Sequence, residues 1–187
     1  MEYQAQSLSK YLDDLSAKLP APGGGSAAAL NAALGASLIS MVVNFTLGKS
    51  QYLSFTHELE ETLSKSEKLR KKFLVLVDLD VLAYRSKNPQ QALDVPLELA
   101  RLCAQAAELC PPLIAKSNLN LVSDLAIAVV LLDAAFICAS WNIKINLKNL
   151  KQQQLTDSLN KEIKQLSKQI TKIRKSTEAR VGKIIRR

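Results

Sequence analysis

The stretch that most restricts how this chain can fold is Pro20-Ala21-Pro22-Gly23-Gly24-Gly25-Ser26, followed by small and apolar residues as far as Leu47. Pro20 and Pro22 end any preceding helix and hold an extended link, because proline lacks an N–H and disfavours α geometry in the residue before it. Glycine lets backbone approach a neighbouring group more closely than a side chain would permit. A helix beginning near Ser26 presents unpaired N–H groups at its start, so the stretch predicts an anion-binding backbone cradle.

Beyond this stretch the pattern is helical. Ala, Leu, Lys and Gln are abundant, aromatics make up only 5%, and no run alternates as a strand would. The reading is all-α, an up-and-down bundle of about five to six helices. The first, over 7–19, places Leu8, Tyr11, Leu12 and Leu15 on one face. The second runs from Ser26 toward Leu47, and Ala29, Ala33, Ala36, Ser37 and Ser40 let neighbours come close, as in a central or interface helix. A third spans 52–84. A fourth opens at Val95-Pro96 with Pro96 in its first turn, and Cys110-Pro111-Pro112 ends or kinks it. The fifth, 125–147, is apolar nearly all round and so deeply buried. On it, Asn142 and Asn146 share a face and either bridge a helix pair or meet a polar ligand.

Charge separates the chain into two parts. Residues 148–187 hold 12 Lys and Arg against 3 Asp and Glu, a net +9, while the other 147 residues hold 13 against 14, a net −1. This suggests a bundle over 1–150 and a basic amphipathic helix over 151–187. Leu159, Ile163, Leu166, Ile170 and Ile173 recur in a heptad stripe along the latter. That stripe either docks on the bundle, pairs with another subunit, or meets a protein or acidic partner. A body without a basic face argues against nucleic acid as the main ligand, and leaves local donors to attract any anion.

Cys103, Cys110 and Cys138 have no paired spacing and lie in apolar helical contexts, so reduced buried thiols are expected. With His57 the only histidine, no metal site is predicted. Residues 1–18 lack the apolar core of a signal peptide, and Asp133 interrupts the run 125–141. A cytoplasmic protein without a membrane span is the expectation.

For chemistry, Asp78 and Asp80 stand out in the apolar run FLVLVDLDVLAY. A carboxylate there is costly unless paired, hydrogen-bonded or part of a site. Two positions apart on a helix, they face different directions. Gly48-Lys49-Ser50 resembles the end of a phosphate-binding loop, but Val43 stands where that pattern needs glycine and the helix precedes the triplet. Serine catalysis at Ser26 would need a base, and His57 sits among exposed acids.

Pro20 to Ser26, Ala28-Ala29-Leu30, Met41-Val42, Thr46 and Gly48-Lys49 resemble the opening signature of the cyclodeaminase/cyclohydrolase family. This family includes the cyclodeaminase domain of formiminotransferase-cyclodeaminase and methenyltetrahydrofolate cyclohydrolases. The similarity continues through Asp80 with Ala83-Tyr84, then Asn118, Asn120, Ser123-Asp124 and NIKINL at 142–147. The resemblance implies a dimeric bundle acting on a tetrahydrofolate one-carbon derivative, with no bound cofactor. The reaction would be hydrolysis of 5,10-methenyltetrahydrofolate or closure of 5-formiminotetrahydrofolate with loss of ammonia.

By the same resemblance Asp80 and Asp124 are the acid/base candidates. Gly23, Gly24, Gly25 and Ser26 form the substrate cradle, Lys49 contacts an anion and Asn120 positions the substrate. Structural readings stand beside these: Asp124 as a helix cap, Lys49 as a partner for a helix C-terminus. The short 85–95 link and the basic tail fall outside the family's usual pattern. They support a different class of function, a catalytically silent dimeric scaffold that binds partners through its tail.

Overall fold

Described residues of the computed structural model are 2–150 and 152–186. Of the basic stretch, Lys151 and Arg187 lie outside them. Six longer helices and one short one carry the fold: α1 Leu8–Ser16, α2 Gly24–Asn44, α3 Thr56–Ser86, α4 Pro89–Ala107, the short α5 Cys110–Lys116, α6 Val122–Leu150 and α7 Gln153–Ile185. Short 3-10 turns at Tyr3–Ala5, Ser50–Phe55 and Leu119–Leu121 fill the links. No strand occurs among the described residues.

The all-α bundle expected from composition is what forms, with α2 at its centre. Hydrogen bonds fix its neighbours' directions. Ser40 pairs with Ser66 at 2.8 Å and the Ser26 N–H with Asp80 at 2.9 Å, so α3 runs antiparallel to α2. Asn31 donates to the Leu131 carbonyl and the Asn118 N–H to Thr46 Oγ1, so α6 does too. The small residues work as anticipated. A methyl added at Gly35 would stand 3.1 Å from the Ala128 carbonyl and 2.9 Å from the Leu132 side chain, so α2 and α6 touch almost backbone to backbone.

Several boundaries differ from the sequence reading. Ser7 caps α1 by accepting from the Lys10 N–H, and the helix stops at Ser16. On its expected apolar face Tyr11 is buried and Leu15 half-buried, whereas Leu8 and Leu12 are exposed. Helix α4 begins six residues earlier than Val95, with Pro89 in its first turn and Asn88 capping through the Gln90 and Gln91 N–H groups. Pro96 therefore sits inside the helix, where it removes one backbone donor. Asn146 takes the structural role and donates to the Ala92 carbonyl. Cys103 and Cys110 are buried, but Cys138 is exposed on α6, which corrects the expectation of three buried thiols.

The C-terminal stripe docks. Leu159, Ile163 and Ile170 are buried in the same core as the bundle, and the buried set continues to Thr177 and Val181. Polar latches flank it: Arg174 to Asp133 on α6 at 2.6 Å, and Arg101 on α4 to Glu162 at 2.7 Å.

Candidate active site

Helix α2 starts with three glycines and has no side-chain cap of its own, since Gly23 occupies the capping position. Its first-turn N–H groups need an acceptor, and α3 supplies one. Asp80 Oδ2 accepts the Ser26 N–H at 2.9 Å. The anion at the glycine-rich start is thus the protein's own carboxylate, which refines the expectation of a cradle for substrate. Close packing enforces the arrangement: a methyl at Gly25 would lie 2.0 Å from Asp80 Oδ1, whereas one at Gly23 or Gly24 would meet nothing within 4 Å. Of the three glycines, only Gly25 is required for this contact.

Burial raises the Asp80 pKa above the ordinary carboxylate value, and the hydrogen bond from the Ser26 N–H only partly opposes it. No lysine or arginine contributes to that shift. Asp80 remains half-buried and partly open to solvent. A carboxylate of this kind holds a proton more readily than an ordinary one and, when ionised, attracts a cation.

Asp78 turns away, as its spacing from Asp80 demands. Its carboxylate accepts the Tyr3 N–H at 2.5 Å and the Gln4 N–H at 3.3 Å, tying down the N-terminal segment. Tyr3 packs edge-on against Tyr11, and the Tyr11 hydroxyl donates to Ser26 Oγ at 3.1 Å. Sequence reasoning placed Tyr11 only in an apolar stripe. The contact joins residues 15 positions apart across the proline link, which helical periodicity cannot reveal.

The remaining carried-over residues gather at the opposite end of α2. Thr46 Oγ1 donates to the Val42 carbonyl and accepts the Asn118 N–H, and Asn118 Oδ1 accepts the Asn120 N–H. Asn120 and Lys49 are exposed there, Lys49 beside Gly48 at φ 77°. Asp124 is half-buried in the first turn of α6, well placed for the helix dipole, with no capping hydrogen bond among the described residues. A helix of 21 residues is about 30 Å long, so one subunit cannot bring Lys49, Asn120 and Asp124 to Asp80. His57 is exposed near Glu61, far from a catalytic pairing.

An antiparallel all-α bundle with a half-buried carboxylate held on a glycine-rich helix start is the class of protein that these features define. The family model described as formiminotransferase-cyclodeaminase matches residues 7–88 and 85–165. The methenyltetrahydrofolate cyclohydrolase of Methylorubrum extorquens is 33% identical over 184 residues, covering 86% of this chain and 88% of the relative. The formimidoyltransferase-cyclodeaminase of Rattus norvegicus is 31% identical over 167 residues, and there the match spans 77% of this chain but only 31% of the relative. A crystal structure of formiminotetrahydrofolate cyclodeaminase from Thermotoga maritima superposes with a TM-score of 0.93 at 26% identity, over 98% of this chain and all of that one. This chain belongs to the formiminotransferase-cyclodeaminase family, a family of folate one-carbon enzymes.

Two details of these matches bear on the expected departures. The family match breaks into two pieces at residues 85–88, the tight turn between α3 and α4, where Lys87 adopts φ 55°. The sequence reading expected the shortened link here. The tail is no addition, however, because a superposition covering 98% of the chain takes in α7.

Proposed function

We propose that this protein hydrolyses 5,10-methenyltetrahydrofolate, with Asp80 as the general base. The observation that carries the reading is the Asp80 carboxylate, fixed by the Ser26 N–H against Gly25 and made more basic by burial. Similarity to a stand-alone cyclohydrolase over most of both chains favours this reaction. Asp80 takes a proton from water as its oxygen bonds to the methenyl carbon. The tetrahedral carbon then breaks its bond to one of the two nitrogens, which receives a proton, and one proton is released overall. Before attack the substrate's amidinium is cationic, and a carboxylate without a basic neighbour stabilises it.

Cyclisation of 5-formiminotetrahydrofolate with ammonia release is the second reading, favoured by the superposition on the cyclodeaminase structure. It uses the same carboxylate as a proton acceptor and donor around a tetrahedral carbon.

The reading includes a homodimer. Leu34 on α2 and Phe45 just past its end, with Ile127, Ile137, Trp141 and Ile145 on α6, are large apolar side chains left exposed. Helical spacing sets each group in one stripe, and α2 and α6 pack against each other. Both helices are long and apolar enough to cross a membrane, but 61% and 44% of their most apolar windows are buried inside the bundle. A second copy covering the remainder suits a face of this size. A two-fold axis perpendicular to α2 reverses that helix in the partner, and we propose that the partner's Lys49, Asn120 and Asp124 thereby serve this subunit's Asp80, uniting residues that one chain keeps apart. Lys49 then meets the carboxylates of the substrate.

Loss of the methenyl absorbance above its spontaneous rate, alongside ammonia release from the formimino compound, tests the reading. Activity in the first assay is expected. A folded dimer inactive in both is the silent scaffold instead.

A further inference from the structure

The start of α2 has an unusual weakness. Gly23, Gly24 and Gly25 open the helix with maximal backbone freedom and no capping side chain. Left alone, such a turn frays, and a frayed turn swings the Ser26 N–H off Asp80. Two side-chain contacts restrain Ser26: Asp80 on its N–H and Tyr11 on its hydroxyl. Tyr11 is itself held rigidly. It is buried, stacks edge-on with Tyr3 at 5.4 Å between ring centres, and Tyr3 is anchored through its own N–H on Asp78.

We propose that Tyr11 is a positioning residue for Asp80: its buried hydroxyl pins Ser26 Oγ and thereby keeps the Ser26 N–H on the carboxylate. The N-terminal segment thus acts as a brace running from Asp78 through Tyr3 and Tyr11 to the first turn of α2. This rests on Asp80 being the reactive carboxylate, but the mechanical coupling stands apart from which folate is converted.

The groups facing the pair are few. From α1 comes Tyr11, from α2 the uncharged Ser26 and Gly25, and from α3 Asp78, whose charge, like that of Asp80, is felt at the Tyr11 hydroxyl. The one contact that favours the ionised form of Asp80 is the Ser26 N–H. Loosening it therefore moves the carboxyl titration upward.

The experiment labels the aspartate carboxyl carbons with 13C and follows the Asp80 signal by NMR against pH in the full-length protein, the Tyr11→Phe variant and a Tyr3→Phe control. Asp80→Asn assigns the signal. Tyr3→Phe deletes a hydroxyl bound to Asp14 rather than to Ser26, so it reports the cost of losing a hydrogen bond from the same brace. The expected result is an upward move of the Asp80 midpoint by about half a unit in Tyr11→Phe and none in Tyr3→Phe. An unchanged midpoint in folded Tyr11→Phe, or equal moves in both variants, overturns the proposal. If Tyr11→Phe fails to fold, Ser26→Ala, which removes the acceptor of the same hydrogen bond, replaces it with the same expected direction. Because titration needs no turnover, a protein inactive on both folates refutes the assigned reaction while leaving the brace decided. If it is active, the acid limb of kcat/KM moves with the titration.

Discussion

Asp80 and Ser26, 54 positions apart, meet where α3 ends beside the start of α2, with the Ser26 N–H donating to Oδ2 at 2.9 Å. One carboxylate thus completes a helix that cannot cap itself and keeps an oxygen partly open to solvent. The same burial that makes Asp80 a useful base opposes its ionisation. Its structural and chemical roles pull against each other, and this has measurable consequences.

Asp80→Asn is expected to abolish turnover and to leave melting temperature unchanged or raised. The amide oxygen can still accept the Ser26 N–H, and the variant no longer buries a charge. The sign follows from linkage. An acid with a raised folded pKa binds its proton more tightly when folded, so its stabilisation is present at low pH and lost as pH rises through the folded value. The stability advantage of Asn is therefore largest at neutral pH and shrinks on acidification. Thermal melts from pH 4 to 8 measure it, and near-normal turnover would remove Asp80 from the mechanism.

Gly25→Ala and Gly24→Ala should part company although they are neighbours. A methyl at Gly25 would stand 2.0 Å from Asp80 Oδ1, so the carboxylate or the helix start must move. A displacement near 1 Å at a reacting group costs about 100-fold in rate, and overpacking costs about 1–3 kcal/mol in stability. At Gly24 a methyl meets nothing, and the backbone is helical. Alanine there should preserve activity and stabilise by about 0.4–1 kcal/mol, through a less flexible unfolded chain. Steady-state rates and urea melts of the two variants decide it; equal behaviour would mean that the close approach is unimportant.

As pH falls, kcat/KM for the methenyl compound should drop with a midpoint above the ordinary aspartate value, because burial raises Asp80. Below the midpoint the base is protonated and cannot accept from water. The rate profile between pH 4 and 8, corrected for spontaneous hydrolysis, checks this. A flat profile would exclude a carboxylate base with a raised pKa.

The latch between α6 and α7 offers a stability test away from the site. Arg174→Ala leaves Asp133 buried without its cation, and Asp133 Oδ1 already lacks a partner. A loss of about 2–4 kcal/mol is expected, discounted for the partial exposure of Arg174. Replacing both residues, as Asp133→Leu with Arg174→Met, should recover most of it. Urea denaturation of the single and double variants measures the difference.

How far the sequence disclosed the site depended on the range of each interaction. A helix start near Ser26, two residues past the observed one, and the anomaly of Asp80 were visible because prolines, glycines and a carboxylate in an apolar run are local signals. Their meeting was not, since it depends on the register between α2 and α3. Pro96 misled because proline suggests a helix start, whereas Pro89 with the Asn88 cap already provides one and tertiary packing tolerates the missing donor. The motif sets Lys49 and Asp124 beside the glycines, but order along a chain does not record that both lie toward the far end of α2. The heptad stripe of α7 was legible, but not the choice of docking over pairing, nor the latch to Asp133.

The two-subunit site can be tested by complementation. Asp80→Asn and Asp124→Asn homodimers should each be inactive, since every site lacks one carboxylate. In a mixed dimer, one site combines both substitutions and the other combines two native residues. Random exchange at equal amounts makes half of the dimers mixed, so about a quarter of all sites become intact. Co-refolding the variants should therefore restore about a quarter of native activity, and mixing without subunit exchange none. An active Asp124→Asn variant, or mixed dimers that stay inactive, would sink the shared site. Ile137→Glu, placed on the apolar face, should give monomers by sizing and abolish turnover while the Asp80 titration persists. Such a monomer retaining full activity would confine catalysis to one chain.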